Sequence, residues 1–156
     1  MVLGNSQNDQ VNKYITTQIQ TASKEQLLLI TYDIGIKKCR LAERSLLNKD
    51  LEQANENILK AQNVVRELMI TLNMEAGGDV ASSLMALYDY IYRQLVEANV
   101  QKSPDLVAQA RGMLEELRTT WEEAIEKLAE ERSKAVGVTE NEMSSGVTGG
   151  GFNVAG

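Results

Sequence analysis

The sequence predicts an all-α fold, an antiparallel up-down-up-down four-helix bundle. Three observations predict it. Apolar residues recur at 3-4 spacing over four long stretches, the chain has a single proline and few β-branched runs, and a capping or turn signal marks the boundary before each stretch. Short connections between such stretches favour antiparallel neighbours.

The first helix is expected to start at Ser23, an N-cap with Gln26 in position to close a capping box, and to end near Asn48. Its core row reads Leu28, Tyr32, Gly35, Cys39, Ala42 and Leu46. The small residues Gly35, Cys39 and Ala42 allow a neighbouring helix to approach closely. Cys39 is expected to be a small core residue, not a reactive thiol. The second helix is expected from Asp50, with Gln53 at N3, to about Asn73. Its row is Leu51, Ala54, Ile58, Ala61, Val65, Leu68 and Leu72. Met74–Gly78 reads as a glycine turn. The third helix follows from near Asp79 to about Asn99, with a core row of Val80, Leu84, Leu87, Ile91, Leu95 and Ala98. Ser103 caps the fourth with Pro104 at N1, where a missing N–H costs nothing. That helix should run to roughly Ala135 on Val107, Ala110, Leu114, Leu117, Trp121, Ala124 and Leu128, with Trp121 in the core.

Three segments result: residues 1–22 as an N-terminal lid segment, 23–135 as the bundle, and 136–156 as a disordered tail. The tail holds six of the eleven glycines and no apolar period, too little apolar surface to offset the cost of ordering it.

Composition excludes several functions. The 156 residues carry a net charge of −6 with Lys and Arg scattered among acids, so the basic stripe of a nucleic-acid binder is missing. One cysteine rules out a disulfide framework and fits a reducing cytoplasm. No apolar run approaches bilayer length, so no membrane insertion is expected. The absence of histidine removes His triads and His metal sites. Glu115, Glu116, Glu122 and Glu123 are expected on a solvated helix face. The chain is therefore expected to be no enzyme and to use no cofactor and no metal.

One feature exceeds what a bundle needs. In TASKEQLLLITYD, residues 21–33, Leu27, Leu28, Leu29 and Ile30 follow one another and point in all directions. On the first helix Leu27, Ile30, Ile34 and Leu41 make a row off the core seam. On the third helix Ala81, Met85, Tyr88, Tyr92 and Val96 make another. An all-apolar helix must be covered all round. Either the preceding segment, with Tyr14, Ile15 and Ile19, folds across it as a lid, or a partner chain does, or the two alternate. The binding surface expected for such a partner comprises Ile30 and Ile34 on the first helix, and Asn55, Leu59, Gln62 and Met69 on the second. On the third it takes Met85, Tyr88, Tyr92 and Val96. Asn55 and Gln62 are there to hydrogen-bond a client backbone. A structural or homo-oligomeric bundle that buries these faces against its own copies is the alternative.

The order YITTQIQTASKEQLLLITYD, then NENILKAQNVVRELMITLNMEAGG, then LMALYDYIYRQLVEANV, with Trp121 near the end, resembles the flagellin export chaperones of the FliS family over about residues 11–128. Two departures stand out: TASKE where the family often has TASPE, and the glycine at 35 one residue later than usual. The resemblance implies a chaperone of the bacterial cytosol that binds the disordered C-terminal segment of flagellin and blocks premature polymerisation. It further implies delivery to the flagellar type III export gate, contacts with assembly regulators, and a lid tyrosine matching Tyr14.

Overall fold

The computed structural model describes residues 9–13 and 23–155, and all of these but a few turn residues are helical. Four long helices follow a short helical stretch at 9–13: α1 (Lys24–Leu47), α2 (Leu51–Thr71), α3 (Met74–Gln101) and α4 (Pro104–Ala155). The lid residues Tyr14, Ile15 and Ile19 lie outside the described residues. The contacts divide the chain into two compact units, Met1–Thr119 and Thr120–Gly156.

The helix starts follow from local chemistry. Ser23 Oγ accepts from the Gln26 N–H at 3.2 Å, and Gln26 Oε1 accepts from the Ser23 N–H at 3.1 Å, a complete capping box. Asp50 caps α2 through the Gln53 N–H, and Ser103 caps α4 through the Leu106 N–H, each at 3.2 Å. Helix α3 begins a turn earlier than the sequence suggests, because Asn73 Oδ1 accepts from the Ala76 N–H. The expected glycine turn survives as a break inside it: Gly78 has φ +53° and ψ −129°, which only glycine adopts readily.

The first unit packs around Tyr32, Cys39, Ala42, Ala54, Ile58, Ala61, Val65, Ile91, Leu95, Val107, Ala110 and Leu114, all buried. Gly35 explains how closely α1 is held. A Cβ there would stand 2.9 Å from Val64 Cγ1, so a side chain would push on α2, while Leu114 Cδ1 on α4 would be at an ordinary contact distance of 3.6 Å.

Helix α3 departs from the expected row. Its buried positions are Ala81, Tyr88, Ile91, Leu95 and Ala98, while Val80 is 69% exposed and Leu84 and Leu87 are half-buried. Burial of the Tyr88 ring is made tolerable by a partner for its hydroxyl, which meets that of Tyr32 at 2.5 Å with the rings 6.5 Å apart. The N-terminal half of α3 therefore turns its 81–88 row, rather than its 80–84–87 row, toward the core. Leu51, expected in the α2 core row, sits in the first turn and is 51% exposed.

Helix α4 differs most from expectation. It continues to Ala155, through the segment expected to be a disordered tail. After Pro104 no proline and no left-handed residue is present among the described residues to stop the i→i−4 ladder. Trp121 is half-buried, Ala124 and Leu128 are exposed, and every residue from 126 to 141 is exposed. The apolar row on this helix thus persists in sequence beyond the point where it is buried.

Candidate functional site

The seam between α2 and α3 gathers most of the expected binding residues. Two side-chain pairs fix its register. Asn99 Nδ2 donates to Asn55 Oδ1 at 2.8 Å. The Arg66 guanidinium donates to the Tyr92 hydroxyl at 2.9 Å and lies 5.7 Å from the centre of its ring. The partner number thus falls from 99 to 92 on α3 as it rises from 55 to 66 on α2. Positions 55, 59, 62, 66 and 69 share one side of α2 at 4-3 spacing, and positions 85, 92, 96 and 99 share one side of α3.

Along this strip Leu59 is 47% and Val96 39% exposed, between the Asn55–Asn99 pair and the Arg66–Tyr92 pair. Met69 and Met85 extend it, both half-buried. The strip is therefore a line of accessible apolar side chains punctuated by amide, guanidinium and phenol groups. Such a surface suits a polypeptide segment with alternating apolar anchors and backbone donors. Methionine adds contacts that adapt to different side chains.

Two expected members behave differently. Tyr88 is 1% exposed and belongs to the core, so it offers no surface to a partner. Gln62, expected as an exposed polar contact, is only 7% exposed, and its Oε1 has no hydrogen-bond partner. Ile30, half-buried, and Ile34, 41% exposed, stand on α1 and form a separate apolar face. The run Leu27 to Ile30 is half-buried throughout. Asn99 and Arg66 were not singled out from sequence. Isolated polar residues carry no period, and only the fold reveals their partners.

The contacts between α1 and α4 have the opposite character. Arg111 forms a bidentate pair with Glu43, at 2.7 and 3.1 Å, and also reaches Glu115 at 3.0 Å. Arg40 reaches the same Glu115 oxygen at 2.8 Å, and Arg118 pairs with Asp33. Glu115 is thus not a solvated surface carboxylate. Its hydrogen bond from Arg40, with help from Arg111, holds its carboxyl below the ordinary value despite partial burial. Beneath this network burial pushes the Cys39 thiol up to about 12, with Glu43 adding to the effect. The thiol is therefore protonated and unreactive at neutral pH. An open crevice of about 420 Å³ lies along the network, lined by Asp33, Ile36, Lys37, Arg40, Glu115, Arg118 and Thr119.

No group of His, Cys, Asp or Glu that could hold a metal occurs among the described residues, and no described helix is long and apolar enough to cross a membrane.

Comparison with known proteins agrees with the family the sequence resembles. A family model described as Flagellar protein FliS matches residues 6–128. The flagellar secretion chaperone FliS of Bacillus subtilis is 35% identical over 125 residues, covering 80% of this chain and 92% of that protein. The protein of the same description from Salmonella typhimurium is 27% identical over 122 residues, covering 77% and 90%. That from Campylobacter jejuni is 28% identical over 112 residues, covering 72% and 88%.

Proposed function

The chain belongs to the FliS family of flagellar proteins, and on that premise we propose that it is a cytoplasmic export chaperone for flagellin. It holds the disordered C-terminal segment of flagellin, keeps that segment from polymerising early, and hands the subunit to the flagellar export gate. Flagellar assembly regulators are further partners of the same role. The relatives' shared description as flagellar secretion chaperones supports the chaperone part of this reading.

The observation that carries it is the α2/α3 strip. Leu59, Val96, Met69, Met85 and Tyr92 leave apolar surface accessible along two helices, interrupted by polar groups that are mostly paired within the protein. A holding chaperone without a nucleotide cycle must bind a disordered client by contact alone. Part of that contact energy is spent on ordering the client, so a long strip is needed rather than a single pocket. The α1 face at Ile30 and Ile34 extends the available surface, and the segment with Tyr14, Ile15 and Ile19 is the lid that gives way to flagellin. The Asn55–Asn99, Arg66–Tyr92, Glu43–Arg111 and Asp33–Arg118 pairs support an antiparallel up-down-up-down bundle as the scaffold.

Titration with a synthetic peptide of the flagellin C-terminal region from the same bacterium tests the proposal. A saturable 1:1 complex is expected. Absence of binding up to about 50 μM, weaker than roughly −6 kcal/mol, refutes it. Concentration-dependent self-association that buries the strip favours the homo-oligomeric alternative instead.

A further inference from the structure

We infer that the long C-terminal part of α4 is a docking element for a second copy of this chain, the carboxylates of Glu123, Glu126 and Glu130 on one copy meeting Lys37, Arg40 and Arg44 on α1 of the other. The inference uses neither the α2/α3 strip nor the client reading, and it stands or falls without them.

Two exposed rows of opposite charge carry it. On α1, Lys37, Arg40 and Arg44 recur at i, i+3 and i+7, and all three are exposed. Among the described residues Lys37 and Arg44 have no side-chain ion pair. Arg40 uses one guanidinium nitrogen on Glu115 and keeps its side chain 64% exposed. Lys37 and Arg40 also border the open crevice beside the α1/α4 network, where Lys37, Arg40 and Arg118 face only the two carboxylates of Asp33 and Glu115. On α4, Glu123, Glu126 and Glu130 recur at the same i, i+3 and i+7. They are exposed too, and none is ion-paired among the described residues.

Equal spacing gives equal geometry. Each row spans about 10.5 Å of its helix on one face, so two parallel helices bring Glu123 opposite Lys37, Glu126 opposite Arg40 and Glu130 opposite Arg44 in a single register. That register sets no like charges against each other: Asp33 falls opposite Thr119, Glu43 opposite Ala129 and Lys127 opposite Leu41. Residues 126 to 141 are all exposed, although helices in proteins draw most of their stability from packing. The complementary row for this stretch is present on every other copy of the chain. Made reciprocally, the contact occurs twice and closes as a two-fold dimer, each copy giving its α4 and receiving its partner's. The family match ends at residue 128, and Glu130 with most of the exposed stretch lies past it. Single exposed ion pairs contribute little and are screened by salt. Three pairs made twice therefore give a weak, salt-sensitive dimer that leaves the α2/α3 strip uncovered.

Sedimentation velocity on the full-length protein tests this. At about 200 μM chain and about 0.05 M salt the wild type should be largely dimeric, and it should return to monomer at about 0.5 M salt or on roughly hundredfold dilution. Two charge-reversed variants, Glu123→Lys/Glu130→Lys and Lys37→Glu/Arg44→Glu, should each be monomeric. Their circular dichroism should match wild type, because all four sites are exposed and unpaired. Mixed in equal amounts the two variants should dimerise again, since each then carries the row that the other needs. Both should bind the flagellin C-terminal peptide as wild type does. A wild type that stays monomeric at low salt, a dimer that survives high salt or either double variant, or a mixture that remains monomeric overturns the inference and leaves the chaperone reading intact. A variant that loses the peptide while wild type keeps it assigns its row to the client and also overturns the inference. A wild type that binds no flagellin peptide overturns the chaperone reading alone, and the dimer stands.

Discussion

If the α2/α3 strip holds the client, truncating Leu59 and Val96 together must weaken binding by a predictable amount. Fully burying such a side chain contributes about 1.5–3 kcal/mol. Leu59 is 47% and Val96 39% exposed, so covering the exposed part contributes about 0.7–1.4 and about 0.6–1.2 kcal/mol respectively. The sum, about 1.3–2.6 kcal/mol, corresponds to roughly 8- to 70-fold in Kd. Alanine retains its Cβ, which brings the expectation to roughly 5- to 50-fold. The buried halves of the same side chains cost the free protein roughly 1–2 kcal/mol per site, which an ordinary domain tolerates. Calorimetric titration of Leu59→Ala/Val96→Ala with the flagellin C-terminal peptide reads the first number, and a urea melt followed by circular dichroism reads the second. Lys60→Ala is the control. It lies off the strip, paired with Glu56 at the surface, and should bind as wild type. A folded double variant whose Kd stays within about twofold of wild type would refute the assignment of this seam, since that is well below the smallest burial the exposures allow.

Tyr88→Ala should cost about 3–5 kcal/mol of stability, as expected for a large buried ring, whereas Tyr92→Ala, half-buried at the seam, should cost much less; urea melts of the two separate core from surface. Gly35→Ala sets the helix-propensity gain of about 1 kcal/mol against overpacking of about 1–3 kcal/mol on Val64. Net destabilisation is expected, and Val64→Ala should relieve it in a double-mutant cycle. Because Arg40 and Arg111 hold the Glu115 carboxyl low when folded, its stabilisation is complete above the ordinary glutamate value and disappears as pH falls through the lowered one. The Tm difference between wild type and Glu115→Gln should therefore be constant near neutrality, close in acid, and shrink with salt. Cys39, with its thiol raised to about 12, should react with a thiol reagent at pH 8 no faster than the protein opens; immediate stoichiometric labelling of the native state contradicts its burial.

The features legible in the sequence are those fixed over short distances. Ser23 with Gln26, Asp50 with Gln53, and Ser103 before Pro104 each act within one turn, and each caps where expected. The α2 core row from Ala54 to Leu68 was equally legible, because nothing competes with its period. Helix α3 was ambiguous because it carries two apolar rows one residue apart, Val80–Leu84–Leu87 and Ala81–Met85–Tyr88. Rows about 100° apart cannot be ranked by pattern. The contact between the Tyr88 and Tyr32 hydroxyls decides between them, and these residues are 56 positions apart in the chain. The same limit hid the burial of Gln62 and the pairing of Glu115, since both depend on what another helix brings.

The two sides of the first unit are held in different ways, and on the proposed reading this divides binding from support. Between α1 and α4, Arg111, Glu43, Glu115 and Arg40 join in one network, with Arg118 and Asp33 beside it. Bidentate geometry fixes direction as well as distance, so this side resists sliding. Gly35 brings α1 against Val64 on α2, so α1 is held from both directions. Helices α2 and α3 meet through apolar contacts and two isolated polar pairs, a seam with fewer directional constraints on side-chain position. A client that inserts side chains between Leu59 and Val96 needs local adjustment there without loss of the fold, and the α1/α4 network supplies the fixed frame against which that adjustment occurs. Breaking the network with Arg111→Ala should therefore lower stability while leaving the client affinity of the remaining folded protein close to wild type. If affinity falls in parallel with stability, the two sides are coupled and this division of labour is wrong.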